Sequence, residues 1–335
     1  MTRRPTTSRS RTLWRLAALV FGLVVVVAVG RTLLDQDWSV LTEVLRRRDP
    51  EETVALMTVA VLTAMAGPLL GMFSWRGILA ELGPPVPLVG IVRIYYVGFL
   101  AKYVPGKVPG LIATVKVASA NDVPMPRMLV SGTLHMVVIH LTGLTIGLLT
   151  GVRILGGQAL WLVPPALLVA AVLIWPSLLD RAATLALRVL RRPQQIRSLS
   201  RRAVRVAVLW QISSWLVGAL HVWLLAVLMG ADAAAALPLC LGAFTLASVI
   251  GVLTVVTPDG LGVREVALTG ALALVLPVPS AVAVAVASRL VVTFADAVFG
   301  VVALGTAEFL HRRRSGRDVT PVEPGVDPAD HLARS

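Results

Sequence analysis

The sequence has few charged residues and a single cysteine, and each shortage excludes a class of protein. Only 15% of the 335 residues are charged, against 56% hydrophobic, and the mean hydropathy is +0.82. A soluble chain of this length would form about two domains, and 18 acidic plus 31 basic residues cannot cover their surfaces. With Cys240 alone, an internal disulfide or a cysteine metal cage is excluded. The composition predicts an all-α polytopic membrane protein.

The motifs of familiar enzymes are also missing. The chain has no Gly-rich phosphate loop, no Gly-x-Ser-x-Gly elbow and no HExxH. His135 and His140 are five residues apart, which misses the i, i+4 spacing of a helical metal site, so we interpret them as core histidines. We therefore expect no enzyme activity, no metal and no cofactor.

Six apolar runs are long enough to cross about 30 Å of hydrocarbon as helices. They lie near 16–34, 53–73, 128–150, 158–179, 206–229 and 279–309. Two further regions, 86–122 and 238–277, are interrupted by Pro and Gly, so each is either a re-entrant hairpin or a pair of short spans. The transmembrane domain is predicted over 16–310, between a disordered basic N-terminus (1–15) and a disordered tail (311–335). Ala28-Val29-Gly30 also fits a signal-peptidase site, but a retained first helix is favoured.

Arginines outside the apolar runs predict the orientation. Five precede the first run, eight lie between 181 and 205, and five follow the last run. Because basic loops stay on the cytoplasmic side, both termini and the 181–205 loop are predicted to be cytoplasmic, in the plasma membrane. Arg46-Arg47-Arg48 opposes this assignment, although neighbouring acidic residues offset it. The net charge of +13 then indicates anionic lipid, and not nucleic acid, as the partner.

An offset of 153 residues aligns prolines and glycines of the two interrupted regions. The matched pairs are Pro85 with Pro238, Gly98 with Gly251, Pro105 with Pro258, Pro124 with Pro277, Pro126 with Pro279 and Gly147 with Gly300. By the crossing count the two units, 53–150 and 206–309, enter the membrane from opposite sides, which predicts inverted repeats. Broken segments at matching positions of such repeats are typical of a transporter's binding site. The alternative is an old duplication kept for packing.

The first broken segment, 95–110, is rich in lysine. The chain's three lysines are Lys102, Lys107 and Lys116, whereas the other 28 basic residues are arginine. Pro105-Gly106 is predicted to end one half-helix, and Pro109 to begin another, whose N-terminus would attract an anion. We expect an anionic headgroup to bind here. The alternative is that the lysines extend to the membrane interface.

The second broken segment, 254–265, ends in paired charges. It contains Pro258, Asp259, Gly260, Gly262, Arg264 and Glu265. Thr257 or Asp259 can cap the following half-helix, and Glu265 is expected to meet Arg289 or a lysine. Arg289 and Asp296 are seven residues apart, and so share one helix face. Each charge at such depth costs about 2.5–3.5 kcal/mol and normally faces a partner or water. These residues form either a translocation site or a structural ion-pair network.

Trp75 with Ile78-Leu79, the stretches 99–106 and 258–265, and Arg289-Leu290 together resemble a known family. They are similar to the transmembrane, flippase-like domain of the lysylphosphatidylglycerol synthase family. In fused members a soluble aminoacyltransferase domain makes the modified lipid and the membrane domain moves it between leaflets. The resemblance implies a stand-alone flippase-like domain that binds and translocates a modified lipid, without synthase activity.

Two other functions remain open at this point. One is an ion-coupled transporter of a small solute, in which Asp259, Glu265 or Asp296 carries a proton. The other is a non-transporting membrane partner of a lipid-modifying enzyme. The sequence does not indicate an oligomeric state.

Reporter fusions after residues 195 and 315 test the predicted orientation. Both fusions are expected to give a cytoplasmic signal, because each reporter follows a cluster of arginines that stays inside. A periplasmic or extracellular signal at either position would contradict the crossing count, and with it the reason for expecting the two units to be inverted.

Overall fold

The computed structural model describes residues 48–103, 108–155, 199–253 and 262–315, together with isolated residues at 39, 42, 43, 46, 163, 164, 167, 168, 171, 175, 181 and 260. Eight α-helices occupy these ranges: α1 (Pro50–Glu81), α2 (Leu88–Leu100), α3 (Val108–Ser119), α4 (Met125–Leu155), α5 (Arg201–Leu228), α6 (Ala233–Leu253), α7 (Val263–Leu272) and α8 (Val278–Ser315). A 3-10 turn, Ala101–Tyr103, follows α2. The described residues contain no strand, which confirms the predicted all-α fold.

Five helices, α1, α4, α5, α6 and α8, are long and apolar enough to cross a membrane. Four of them coincide with the runs predicted at 53–73, 128–150, 206–229 and 279–309, so the polytopic membrane architecture is confirmed. The runs at 16–34 and 158–179 lie outside the described residues, apart from isolated positions in the second run.

α6 begins the second interrupted region and ends at Leu253, just before the second broken segment. It is one helix of 21 residues with Pro238 inside it. Pro238 is the sixth residue of α6, so its missing N–H removes one hydrogen bond near the N-terminus and leaves the rest of the helix intact. The two interrupted regions are therefore unequal, since α2, at the corresponding place, has only 13 residues.

Helix boundaries recur at the spacing of 153 residues. Two pairs of helix ends match: Leu100 of α2 with Leu253 of α6, and Ser119 of α3 with Leu272 of α7. One pair of helix starts matches: Met125 of α4 with Val278 of α8. Pro126 and Pro279 stand second in α4 and α8, where proline is tolerated because first-turn N–H groups have no intrahelical partner. Pro124 and Pro277 directly precede these two helices, so two of the six sequence matches coincide with the start of a long helix in both halves.

α1 and α5 run antiparallel and pack along their length. At the start of α1, Arg48 Nη2 donates to the Val227 carbonyl at 2.6 Å, and at its end Glu81 Oε2 accepts from Ser200 N at 3.0 Å. Between these ends, a Cβ added to Gly67 would lie 3.0 Å from Gly218 Cα. Glycines at a crossing let two membrane helices approach closely. Since α1 and α5 begin the two related units, their opposite directions support the proposal of inverted repeats.

Each unit also packs its last helix against the other unit. A Cβ at Gly147 on α4 would collide with Leu246 on α6, and a Cβ at Gly300 on α8 would lie 2.8 Å from Leu100 Cδ1 on α2. Gly147 and Gly300 are one of the matched pairs, and their common role here is to admit a leucine. Helix packing is therefore enough to explain the match of Gly147 with Gly300. This agrees with the alternative interpretation, in which the repeat is an old duplication kept for packing.

Leucine at position 67 is expected to destabilise the protein by about 1–3 kcal/mol or more, because the new side chain must push α1 away from α5. Gly77→Leu is the matched control on the same helix, since a Cβ there meets no atom within 4 Å. Thermal unfolding in detergent should give a lower midpoint for Gly67→Leu and an unchanged midpoint for Gly77→Leu. Equal midpoints would contradict the close crossing.

Candidate functional site

α8 carries two charged side chains, Arg289 and Asp296, inside its apolar span. Seven residues make nearly two helical turns, so both lie on one face, about 10 Å apart along the axis. α8 packs against α2, whose last residues belong to the first broken segment, and against α7, whose first residues belong to the second. A single helix therefore contacts both broken segments.

Asp296 forms an ion pair with the first broken segment. Lys102 Nζ lies 2.7 Å from Asp296 Oδ2, and the Tyr103 hydroxyl donates to the same oxygen at 2.6 Å. The Asp296 side chain is 1% exposed and that of Lys102 is 26% exposed. Both donors belong to the 3-10 turn after α2, so the chain presents them together at the end of that helix. Lys102 thus has an internal carboxylate as its partner.

Aromatic rings complete the surroundings of the Lys102 ammonium. Its Nζ lies 4.0 Å from the centroid of the Phe99 ring and 5.1 Å from that of Tyr103. A cation over a ring face is stabilised by the ring quadrupole, by about 2 kcal/mol when it is desolvated. Charge and ring contacts together hold the ammonium over the end of α2.

Glu265 connects the second broken segment to α8. Its Oε1 lies 3.6 Å from Arg289 Nη1, which is a Coulombic contact too long for a hydrogen bond. Its Oε2 accepts from Gly262 N at 2.6 Å, at the start of α7. Gly262 has a φ of 88°, a left-handed value that glycine adopts without strain. Glu265 is the third residue of α7, where the free N–H groups stabilise its negative charge.

Arg264, beside Glu265, contacts α6 instead. It is 7% exposed, and its guanidinium carbon lies 4.9 Å from the centroid of the Phe244 ring. The His221 ring on α5 is perpendicular to the same ring, with 4.9 Å between the ring centroids, and His221 Nε2 lies 2.8 Å from Ser288 Oγ on α8. These contacts connect α7 to α8 through α6 and α5.

The structure brings together only some of the predicted site residues. Pro105, Gly106, Lys107, Pro258 and Asp259 lie outside the described residues. Within the described part, Lys102 meets Asp296 and Glu265 meets Arg289.

Two further predicted residues lie apart from these ion pairs. Lys116 is exposed in the last turn of α3, about 12 Å along the helix from its start. Gly260 has a φ of 66°, and a Cβ there would collide with the backbone of Gly251. The conformation and the crowding each require glycine at position 260.

Sequence reasoning missed the neighbours of the charged residues. Tyr103 and Phe99 flank Lys102 at i+1 and i−3, a spacing that places a ring on either side of the lysine and was available as a signal. His135, interpreted as a core histidine, is 6% exposed, and its Nε2 lies 3.2 Å from Gln211 Oε1. Within the described residues, no three His, Cys, Asp or Glu side chains lie close enough to hold a metal ion.

Comparison with known protein families identifies the family to which the chain belongs, which the geometry alone does not show. The family model described as the lysylphosphatidylglycerol synthase TM region matches residues 15–300. The chain belongs to this family. The resemblance found in the sequence is thereby confirmed, and the part matched to the lysylphosphatidylglycerol synthase TM region includes both ion pairs on α8. A search of curated proteins found no match.

Two substitutions compare the two ion pairs of this lysylphosphatidylglycerol synthase TM region. Lys102→Met leaves Asp296 buried without its cation and is expected to destabilise the protein by about 3–5 kcal/mol. Arg289→Met should destabilise it less, because Glu265 is 21% exposed and retains the Gly262 N–H. Thermal unfolding in detergent should therefore give a lower midpoint for Lys102→Met than for Arg289→Met.

The double variant Lys102→Met with Asp296→Leu is the control for the first substitution. It should recover most of the loss, since no unpaired charge then remains in the apolar span. A loss in the double variant as large as in Lys102→Met alone would contradict the role assigned to the ion pair.

Proposed function

We propose that the protein binds a membrane lipid with an anionic or modified headgroup at the two broken segments and moves it between leaflets. The observation that carries the proposal is the pair of charged contacts on α8. In the first, the broken segment supplies the cation Lys102 and α8 supplies the carboxylate of Asp296. In the second, the broken segment supplies the carboxylate of Glu265 and α8 supplies Arg289. Charges inside a membrane span are typical of a transport pathway.

The proposed inverted repeats supply a way to expose the site alternately to each side. In transporters built this way, the site lies near the midplane and one unit moves against the other. The antiparallel course of α1 and α5 supports such an arrangement. On this proposal the protein is not an enzyme and needs no cofactor. It lies in the plasma membrane with both termini in the cytoplasm.

The arrangement of the lysines suggests where an anionic headgroup would bind. The ammonium of Lys102 is held by Asp296, so it balances an internal charge. The free N–H groups at the start of α3, which begins at Val108, are a natural anion site, and Lys107 stands directly before them in the chain. A headgroup that also carries an ammonium would find carboxylates at Asp296 and Glu265.

A second candidate is an ion-coupled transporter of a small solute. One observation favours it: Asp296 is a carboxylate, 1% exposed, on a helix long enough to span the membrane. Such groups serve as ion or proton carriers in many transporters. The two candidates differ in their cargo and so can be separated by measurement.

Glu265→Gln tests the proposed function in vesicles that contain phosphatidylglycerol with a fluorescent acyl chain. The wild-type protein should make label on the inner leaflet accessible to a reductant that cannot cross the membrane. The variant should insert and purify as a monodisperse species but fail to do so, because the amide keeps the size of the side chain and loses its charge. Glu81→Gln, an acid-to-amide change at the end of α1, is the matched control and should remain active.

Each other outcome has a definite meaning. Full activity of Glu265→Gln would remove Glu265 from the mechanism, and loss of folded protein would indicate a structural role. A wild-type protein that moves no lipid but accumulates a soluble substrate under a pH gradient would overturn the proposal in favour of the second candidate.

A further inference from the structure

We propose that the protein has a separate subsite, built from uncharged hydrogen-bonding side chains, that recognises the hydroxyl groups of a lipid headgroup. Four side chains form it around Gly71 on α1: Tyr95 on α2, His135 on α4, and Gln211 and Ser214 on α5. We call this group the hydroxyl subsite. Its ligand is a polyhydroxyl group, such as glycerol or a sugar. The inference rests on the proposed function, since it names the class of headgroup, but its first test measures binding alone.

Contacts among four helices bring these polar groups together. A Cβ added to Gly71 would lie 2.9 Å from the Tyr95 hydroxyl oxygen, 3.3 Å from Ser214 Oγ and 3.8 Å from Gln211 Oε1. His135 Nε2 lies 3.2 Å from the same oxygen of Gln211. Because Gly71 has no side chain, it leaves the space in which polar groups from α2, α4 and α5 converge on α1.

The hydroxyl subsite lies deep in the membrane. α1 ends where α4 and α5 begin, because Glu81 Oε2 accepts from Ser200 N at 3.0 Å and Arg127 Nη2 donates to the Leu79 carbonyl at 2.9 Å. The subsite residues Gly71, His135 and Gln211 are each ten residues from this end of their helix, which is about 15 Å along the axis. The hydrocarbon core is about 30 Å thick, so the subsite lies near its midplane.

The subsite also adjoins the first broken segment, 95–110, because Tyr95 begins that segment. Tyr95 stacks on Phe99, with 6.0 Å between the ring centroids and 12° between the ring planes, and Lys102 Nζ lies 4.0 Å from the Phe99 centroid. These three residues follow the i, i+4, i+7 spacing of one helix face. A headgroup at the broken segment can therefore extend its hydroxyl groups along this face of α2, while Lys102 stays paired with Asp296.

The subsite has an accessible side and a closed side. Tyr95 and Ser214 are only half-buried, and they form the accessible side. His135 is 6% exposed and Gln211 is 4% exposed, and they form the closed side. A ligand group that enters past Tyr95 and Ser214 would meet the imidazole and the amide behind them.

Hydrogen-bonding capacity remains at the subsite after its internal contacts are counted. Ser214 Oγ donates to the Gly67 carbonyl at 2.7 Å and can still accept, and the Gln211 amide has an NH₂ group besides the oxygen that meets His135. Ser74, one turn further along α1, is 0% exposed, and its hydroxyl has no hydrogen-bond partner among the described residues. Buried polar groups normally have a partner, and water or a ligand supplies it where the protein does not.

The chemistry of the subsite suits hydroxyl groups better than a phosphate or an ammonium. Its members include no carboxylate, lysine or arginine, whereas hydroxyl, amide and imidazole groups can both donate to and accept from a ligand hydroxyl. The rings of Tyr95 and Trp75, with centroids 5.9 Å apart, add apolar surface for the carbon atoms of a glycerol or a sugar. Apolar walls with a few polar groups are typical of small-molecule sites.

Competition between two lipids of equal charge tests the subsite. Phosphatidylglycerol and phosphatidylpropanol with the same acyl chains share the phosphate and the carbon skeleton of the headgroup, but phosphatidylpropanol lacks the free hydroxyls. Native mass spectrometry of the full-length protein, with both lipids present in equal amounts, gives the ratio bound. We expect a preference of roughly tenfold for phosphatidylglycerol, because the other headgroup leaves the subsite unpaired. Equal binding of the two lipids would overturn the proposal.

Tyr95→Phe and Gln211→Met test the assigned residues. Each keeps the approximate shape of the side chain and removes its hydrogen-bonding group, so each should reduce the preference to roughly twofold and leave phosphatidylpropanol binding unchanged. A structural role would instead weaken the binding of both lipids equally, and that result would overturn the assignment.

Tyr96→Phe is the matched control for Tyr95→Phe. It removes a hydroxyl from the adjacent residue of α2, whose ring packs edge-to-face on Phe299 of α8 with 5.3 Å between the centroids. This variant should keep the full preference for phosphatidylglycerol. Loss of the preference in Tyr96→Phe would show that the change acts through α2 as a whole, and would also overturn the assignment.

A third lipid distinguishes the two sources of hydroxyl groups. Monoglucosyl diacylglycerol with the same acyl chains carries a sugar and no phosphate. If this lipid is bound more tightly than phosphatidylglycerol, and Tyr95→Phe weakens it, the subsite takes a sugar headgroup. If phosphatidylglycerol is bound more tightly, the subsite takes the glycerol of a phospholipid.

The vesicle assay separates this inference from the proposed function. A preference for phosphatidylglycerol that depends on Tyr95 and Gln211, in a protein that moves no lipid, would leave the subsite standing and overturn the lipid movement. Movement of phosphatidylglycerol and phosphatidylpropanol at equal rates, with equal binding, would leave the lipid function standing and overturn the subsite.

Discussion

The close approach of α1 and α5 at Gly67 and Gly218 is the constraint on which the rest of the structure depends. Two backbones can come this near only where neither residue has a side chain, and in a membrane, where burial of apolar surface does not drive helices together, such contact is a main source of association. The antiparallel direction of the two helices then determines where the others pack. α4 packs against α6 and α8 packs against α2, each in the opposite unit, and α8 also contacts α7.

The ion pairs on α8 specify this arrangement more than they stabilise it. Burying a carboxylate and a cation incurs a desolvation penalty that their attraction only partly offsets, so apolar side chains of similar volume would hold α8 about as firmly. Apolar side chains would not, however, prefer one register of the broken segments over another. Lys102 and Glu265 do so, because each meets a charge of opposite sign at a different height on α8. The two ion pairs thus fix the positions of both segments on α8 without adding much stability, as expected if those positions matter for function.

Much of the fold could be predicted from the sequence, because a membrane imposes simple rules on length and polarity. The spans that became α1, α4, α5 and α8 follow from apolar length alone, and the 153-residue offset was visible in prolines and glycines that begin helices or admit close contacts. The start of α6 at Ala233 was not predictable in this way, because a proline is tolerated near the start of a helix and does not itself fix where the helix begins. The pairing of Lys102 with Asp296 was equally hidden. It joins residues 194 positions apart, and only packing of α2 on α8 brings them within 2.7 Å.

The opposite polarity of the two ion pairs has an electrical consequence. Each pair contains one positive and one negative group, so each is neutral as a whole, although both lie on a helix long enough to span the membrane. A single charge carried across a potential of 100 mV gains or loses about 2.3 kcal/mol, whereas a neutral pair that moves as a unit feels almost no net force. A membrane potential therefore exerts almost no net force on either ion pair while it remains intact, so voltage alone would not detach Lys102 or Glu265 from α8.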